Sequence, residues 1–282
     1  MRLLAKFPIP SGLSLVNIRG KDQPSKTRSQ YMTSHPDLDK TIFLDTVDST
    51  NLELKRRRQE FQGSNVLMVS DAQSQGQGQK GRRWESAAGL GLWMSLYLGR
   101  QTSLSHNIQL LSIFTGTIVH DIISPLIPDN VYLKWPNDII INSKKCGGIL
   151  TELQWQGDAI VSAIIGMGIN LSHGKDDFTP SIQRQATSLK LEGVENPDRS
   201  NLIDTFVNSF FGNLSALDDG DQLASEWNKN AYRMNQSVLL ESPQGNFEGH
   251  FSGINSRGDA LIVIEGKLKA FQTGEIRLTE SL

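Results

Sequence analysis

Along residues 41–171 the apolar positions change period repeatedly, and each change marks an element. Residues 41–47 read as a strand. Residues 49–60 read as a helix, with Thr50 and Glu53 at capping-box spacing. Residues 66–70 form a second strand, and residues 92–98, alternating and rich in Leu, Trp and Tyr, a third. Residues 106–123 are apolar at helical spacing. Four further strands are expected at 131–135, 138–142, 147–155 and 159–166, around the turn Asn142-Ser143-Lys144. Strands this closely spaced predict antiparallel hairpins rather than a doubly wound parallel sheet, so the fold class is α+β.

The pattern then changes twice. Residues 172–235 open as a polar loop and continue as two helices, 199–217 and 222–234. Residues 236–282 read as short strands at 237–241, 246–254, 260–264 and 268–273, with Gly245, Gly258 and Gly266 between them. That rhythm predicts a small all-β module of barrel type. Residues 1–40 show neither period. The expected organisation is a poorly ordered extension (1–40), a large α+β domain (41–235) and a small β domain (236–282).

Composition narrows the class. The 282 residues hold 28 Lys+Arg against 30 Asp+Glu, 38% apolar residues and a net charge of −2. The apolar share is too high for a disordered chain, and the charge gives no general reason to bind DNA or an anionic membrane. The longest apolar stretch, residues 159–171, is broken by Ser162, Gly166 and Gly168 and falls short of the roughly 20 residues a bilayer span needs. The single cysteine, Cys146, excludes an internal disulfide and a Cys-based zinc site. A cytoplasmic protein is expected. Residues 1–40 carry seven Lys/Arg and three Asp, net +4. They fit either a frayed start, with Met32 as a second candidate first residue, or a basic, Ser-containing leader of transit type. They are too short and unpatterned for a helix-turn-helix.

Five segments carry candidate chemistry. Gly76-Gln77-Gly78-Gln79-Lys80-Gly81-Arg82-Arg83-Trp84 has the spacing of a dinucleotide fingerprint. It lacks the helix and the acidic residue that fingerprint needs, and it also lacks the Walker G-K-[ST]. A glycine loop with three cations remains, which suits an anionic ligand or an ordinary surface loop. Lys134, before Trp135-Pro136-Asn137-Asp138, ends an apolar strand; it is either a surface charge or one held at a pocket mouth. Gly147 and Gly148 within a strand suggest close backbone or ligand approach. Gly166-Met167-Gly168-Ile169-Asn170 ends another strand on an amide. Asp48-Ser49-Thr50-Asn51 places hydroxyls and an amide at a helix start, which an N-cap alone would also explain.

Taken in order, Asp45 to Asn51, Gln73 with Gly76 to Trp84, Lys134 to Asp138, Gly147 to Glu152 and Gly166 to Asn170 closely resemble the catalytic domain of biotin–protein ligases, in the form without the N-terminal DNA-binding domain. The resemblance implies a mixed, largely antiparallel sheet flanked by helices, with a small SH3-like C-terminal barrel. It implies ATP-dependent joining of biotin to a lysine of a biotin carboxyl carrier domain through biotinyl-AMP, with release of pyrophosphate and then AMP. Mg²⁺ is implied, bound through ATP oxygens rather than a protein cage. Neither DNA nor a membrane is an expected partner. A homodimer is one of the states the family adopts.

Residue by residue, the resemblance assigns Lys134 and Arg82 as catalytic. Biotin contacts fall to Ser49, Thr50, Asn51, Gln73, Gly76, Gln77, Gly78, Gln79, Trp84, Lys134, Gly147 and Gly148. Nucleotide contacts fall to Lys80, Arg82, Trp84, Asn137, Lys145 and Asn170. Cys146 is read as packing. One departure stands out: many bacterial members carry Gly-Arg-Gly-Arg where this chain has Gly76-Gln77-Gly78-Gln79. This puts retention of the adenylate in question. The alternatives are a lipoate-type ligase of the same fold, a biotin-responsive repressor, or a biotin-binding protein that does not catalyse.

Overall fold

The computed structural model describes residues 33–100 and 107–278. Most of the 1–40 extension and the expected helix start at 106 therefore lie outside the described residues. A seven-stranded sheet is built from β1 (Lys40–Val47), β2 (Asn65–Gln73), β3 (Gly91–Leu98), β4 (Val131–Lys134), β5 (Asp138–Ile141), β6 (Lys144–Gln156) and β7 (Ala159–Asn170). Its order is β1-β2-β3-β7-β6-β5-β4. Only β1 and β2 run parallel, across helix α1 (Thr50–Arg56); the other neighbours are antiparallel. The antiparallel hairpins expected from the strand spacing form, and the sheet as a whole is the mixed, largely antiparallel one that the resemblance implies.

The two faces of this sheet separate the core from the site. On β3, Leu92, Met94, Leu96 and Leu98 enter the main core with helices α2 (Leu111–Ile123), α3 (Arg199–Gly212) and α4 (Gly220–Lys229). Tyr97 joins Ile42, Leu54, Met68 and Ile164 in a second cluster around α1. Residues alternate across a strand, so Trp93 and Ser95 share the α1 side. Across that side the register sets Ser95 beside Gly166 and Leu150, and Trp93 beside Gly168 and Gly148. The glycines leave a strip of sheet bare, and the site is built on it.

Strands β8 (Ser237–Ser242), β9 (Gly245–Ile254), β10 (Ala260–Ile264), β11 (Lys267–Phe271) and β12 (Glu275–Leu278) form the antiparallel sheet β11-β10-β9-β8-β12. This is the small β module expected of residues 236–282. Its Phe251, Ile262 and Ile276 continue the main core rather than forming a separate one. Trp135, buried, donates from Nε1 to the Gly258 carbonyl (2.9 Å) and fastens the module to the end of β4. Among the described residues no helix is long and apolar enough to cross a membrane.

Four local expectations need correction. The Thr50/Glu53 capping box does not form. Ser49, not Thr50, is the N-cap and makes no side-chain cap bond, and the Thr50 hydroxyl donates to Gln73 in the site. That helix also ends at Arg56, and turns follow. The helix expected to 234 stops at Lys229: Leu133 donates to the Asn230 carbonyl and accepts from the Tyr232 N–H (both 2.8 Å), so the edge of β4 takes this segment as a partner. The helix expected over 199–217 breaks after Gly212, and a 3₁₀ turn follows at Leu214–Asp218. Strand β12 was not expected from the pattern.

Candidate functional site

A cavity of about 720 Å³ opens on the bare strip. One wall is a neutral hydrogen-bonded nest. Gln73 Oε1 accepts from the Thr50 N–H (2.8 Å) and its hydroxyl (3.1 Å), while Gln73 Nε2 donates to Ser86 Oγ (2.9 Å). Ser95 Oγ lies 2.6 Å from Thr50 Oγ1 and donates to Asn51 Oδ1 (2.5 Å). Asn51 Nδ2 donates to Glu152 Oε2 (2.9 Å), whose other oxygen takes Lys55 Nζ (2.6 Å). Asn51 is thereby oriented from behind the cavity by Ser95 and Glu152, and Gln73 by Thr50 and Ser86. Ser86, Ser95 and Glu152 were not singled out as site residues. Only Ser95's polarity in an otherwise apolar strand could have signalled it.

The glycine loop is a closed hairpin. Trp84 N–H donates to the Gly76 carbonyl (2.8 Å), Gly78 N–H to the Arg82 carbonyl (2.7 Å), and Gln77 bridges Arg83. The hairpin lays the Trp84 indole on the bare strip, beneath Lys145, whose Nζ lies 5.3 Å from the ring centre. A Cβ on Gly168 would sit 2.5 Å from the indole Nε1, so this approach requires glycine. That Nε1 is buried without a hydrogen-bond partner among the described residues. At the hairpin's tip Lys80 takes φ 57° and is exposed.

The remaining wall is cationic. Arg82 grips Glu275 of β12 through two hydrogen bonds (3.2 and 2.7 Å), tying the loop to the β module. Burial acts to raise the Glu275 carboxyl, but the hydrogen bonds and charge of Arg82, with the charge of Lys134, hold it below its usual range. The pair's contribution is therefore complete above the ordinary carboxylate pKa. It is lost as the pH falls through the lowered one. Lys145 pairs with Asp138 (2.5 Å). Lys134, half-buried at the end of β4, makes no ion pair among the described residues. Asn137 is held to β6, its Nδ2 donating to the Ile149 carbonyl (2.5 Å), and Asn170 Nδ2 donates to the Thr187 carbonyl (2.9 Å).

Of the residues singled out in the sequence, Ser49, Thr50, Asn51, Gln73, Gln77, Gly78, Gln79, Arg82, Trp84, Lys134, Asn137, Lys145, Gly148 and Asn170 all line this one cavity. Gly76, Lys80 and Gly147 do not. Gly76 forms the hairpin neck, Lys80 faces outward, and Gly147 packs on Ile139 and Ile169. His173 does line the cavity, stacked on Phe178 with ring centres 4.8 Å apart and planes 9° apart. Burial lowers its pKa, with Asp177 and Glu85 acting the other way.

Cys146 is fully buried, and burial pushes its thiol well above the usual range. A thiol held protonated is no nucleophile. Cys146→Ala should lower stability by about 1 kcal/mol and leave any activity of the site unchanged. Loss of activity without loss of fold would overturn that reading.

The description "Biotin/lipoate A/B protein ligase family" matches residues 43–170. The chain is 30% identical over 273 residues to the bifunctional ligase/repressor BirA of Bacillus spizizenii, which covers 95% of this chain and 82% of that protein. It is 26% identical over 216 residues to a biotin–[acetyl-CoA-carboxylase] ligase of Mycobacterium tuberculosis, covering 75% of this chain and 78% of that one. Among solved structures, a biotin protein ligase from Aquifex aeolicus in complex with biotin and ATP matches with a TM-score of 0.73. It is 27% identical and covers 86% of this chain and all of that one.

Proposed function

The chain belongs to the biotin/lipoate A/B protein ligase family, and on that premise we propose that it attaches biotin to a lysine of a biotin carboxyl carrier domain at the expense of ATP. The observation that carries the reading is the pairing of two walls in one cavity. A neutral hydroxyl–amide nest suits a ureido head, because unpaired polar groups in a closed pocket are costly. A cationic wall suits a carboxylate and a triphosphate.

A carboxylate is a poor acyl donor and must first be activated. One biotin carboxylate oxygen attacks the α-phosphorus, the bond to the β-phosphate oxygen breaks, and pyrophosphate leaves with the electron pair. Two anions are brought together, and charge grows on phosphorus. Lys134, at the strand end and without an ion pair among the described residues, is the cation for that charge. In the second step the carrier lysine's amine attacks the acyl carbon. A C–N bond forms and AMP leaves. The Gly76–Trp84 hairpin, held by Arg82 and Glu275, keeps water from the mixed anhydride.

Mg²⁺ would neutralise the leaving pyrophosphate. The cavity's carboxylates are engaged: Asp138 by Lys145, Glu275 by Arg82 and Glu85 by the Thr179 hydroxyl. They do not form a metal cage, and ATP's own phosphate oxygens would hold the ion. The repressor activity in the Bacillus relative's name is not carried over; its sequence correlate here would lie in residues 1–40, of which 1–32 are outside the described residues.

ATP–pyrophosphate exchange tests the reading. Exchange is expected with biotin and not with lipoate; the reverse would move the chain to the lipoate branch. A second prediction concerns Gln77 and Gln79, neutral amides on the cavity wall. With two fewer cations facing the adenylate, free biotinyl-AMP should accumulate in chromatographed reaction mixtures. The variant Gln77→Arg/Gln79→Arg should release severalfold less. Equal release from both proteins would count against it.

A further inference from the structure

The segment leaving α4 holds a conformation that arginine adopts only at a cost. Arg233 has φ 65°, in the left-handed region that favours glycine. The turn's own bonding does not call for a basic side chain. Gln236 N–H donates to the Arg233 carbonyl (3.1 Å), a bond that glycine would accept equally well. The side chain is nevertheless held. Its guanidinium lies over the Tyr232 ring at 5.0 Å, and Nη1 donates to Gln236 Oε1 (2.8 Å). Nε is buried without a hydrogen-bond partner among the described residues, and the residue lines the cavity.

The backbone delivers this arginine to the catalytic lysine's strand end. Tyr232 N–H donates to the Leu133 carbonyl (2.8 Å), in a parallel bridge pairing Leu133 with Ala231. Arg233 and Lys134 each follow one of the two residues in that bond. The cavity's other basic residues are spoken for or exposed. Arg82, Lys145 and Arg277 are held by Glu275, Asp138 and Glu241, while Arg83 and Arg184 are exposed. Lys134 and Arg233 are the half-buried cations of this cavity without an ion pair among the described residues. Withdrawing positive charge from water without a counter-ion is unfavourable, and a multiply charged ligand would supply one.

We propose that Arg233 is a phosphate-binding residue of this site, holding the β- and γ-phosphates of ATP that leave as pyrophosphate. The proposal rests on the ligase reading and adds to it a residue from the turn between the two sheets. As the bond from α-phosphorus to the β-phosphate oxygen breaks, the oxygens gaining charge face a guanidinium fork rather than water.

The test compares wild type with Arg233→Gly and Arg233→Lys. Glycine takes the left-handed turn without strain, so Arg233→Gly should melt no lower than wild type. In biotin-dependent exchange its KM for ATP and for pyrophosphate should rise about tenfold or more, the effect expected for a charge-assisted hydrogen bond. Its KM for biotin should not move, and Arg233→Lys should recover part of the loss. Unchanged KM values for ATP and pyrophosphate in a folded Arg233→Gly would overturn the proposal. So would a rise confined to biotin, which would assign Arg233 to the carboxylate. If wild type gives no exchange, the ligase reading fails, and calorimetry with inorganic pyrophosphate decides the residue alone. Binding by wild type and not by Arg233→Gly supports it; no difference between the two overturns it.

Discussion

Lys134→Ala should lower biotin-dependent ATP–pyrophosphate exchange by about 10²- to 10³-fold, the loss typical of removing one group aimed at developing charge. The structure makes this a clean substitution. Lys134 makes no ion pair among the described residues, so its removal leaves no carboxylate stranded. Its neighbours hold the strand end without it. Leu133 is buried and bonded to Asn230 and Tyr232, and Trp135 is buried and bonded to Gly258. Stability should therefore change by no more than about 0.5 kcal/mol. Lys134→Arg should recover little, since a planar fork does not reproduce a compact ammonium shared between a carboxylate and a phosphate. A further readout follows from Glu275, whose lowered pKa draws partly on the Lys134 charge. In Lys134→Ala that carboxyl should titrate higher, measurable by NMR. Exchange within about threefold of wild type in a folded Lys134→Ala would remove the lysine from the mechanism and assign the developing charge to another cation of the cavity.

The parts legible in the sequence are those fixed by local pattern. The alternation through Leu92, Met94, Leu96 and Leu98 gives β3, and the short spacing from Val131 to Ile169 gives the hairpins. Both follow from side-chain period and turn length, which a single segment carries. Gly148 was visible as an oddity, since glycine weakens a strand unless something must come close, and Gly166 and Gly168 were visible as part of a motif at a strand end. What comes close, Asn51 and Trp84, was already among the candidates, but the register that stacks them was not readable. Pairing of β3 with β7, between residues about 70 positions apart, is a tertiary fact. The same holds for Ser95, Glu152 and Glu275, which enter the site only through partners distant in sequence. The end of α4 was misjudged for a related reason. Helical spacing continued to Met234, and the unpaired edge of β4 outweighed it. Gly76, Lys80 and Gly147 show the converse limit: a motif brings its members near one another without deciding which way each side chain points.

Gly166→Ala should raise the KM for biotin by about 10- to 100-fold while leaving that for ATP nearly unchanged. A Cβ at this position would lie 2.3 Å from Asn51 Oδ1 and 2.9 Å from its Cγ, closer than real atoms approach. Asn51 cannot step aside freely. Its oxygen accepts from Ser95 and its nitrogen donates to Glu152, and both partners are anchored in the sheet. One of those bonds must break, and the disturbance passes along the nest, because Ser95 also contacts Thr50 and Thr50 contacts Gln73. Overpacking of this kind costs about 1–3 kcal/mol in stability, and disordering the nest weakens the ureido contacts by a similar amount. The phosphate wall is built from β4, the hairpin and β12 and has no part in this contact. A double variant separates strain from chemistry. Asn51→Ala removes the atoms that collide, so adding Gly166→Ala to it should cost far less stability than Gly166→Ala alone. Biotin binding should stay weak in the double variant, because the amide that orients Ser95 is gone. A Gly166→Ala protein with wild-type biotin KM would mean that the ureido head does not sit on this strip of the sheet. A double variant that recovered full affinity would mean that Asn51 only fills space there.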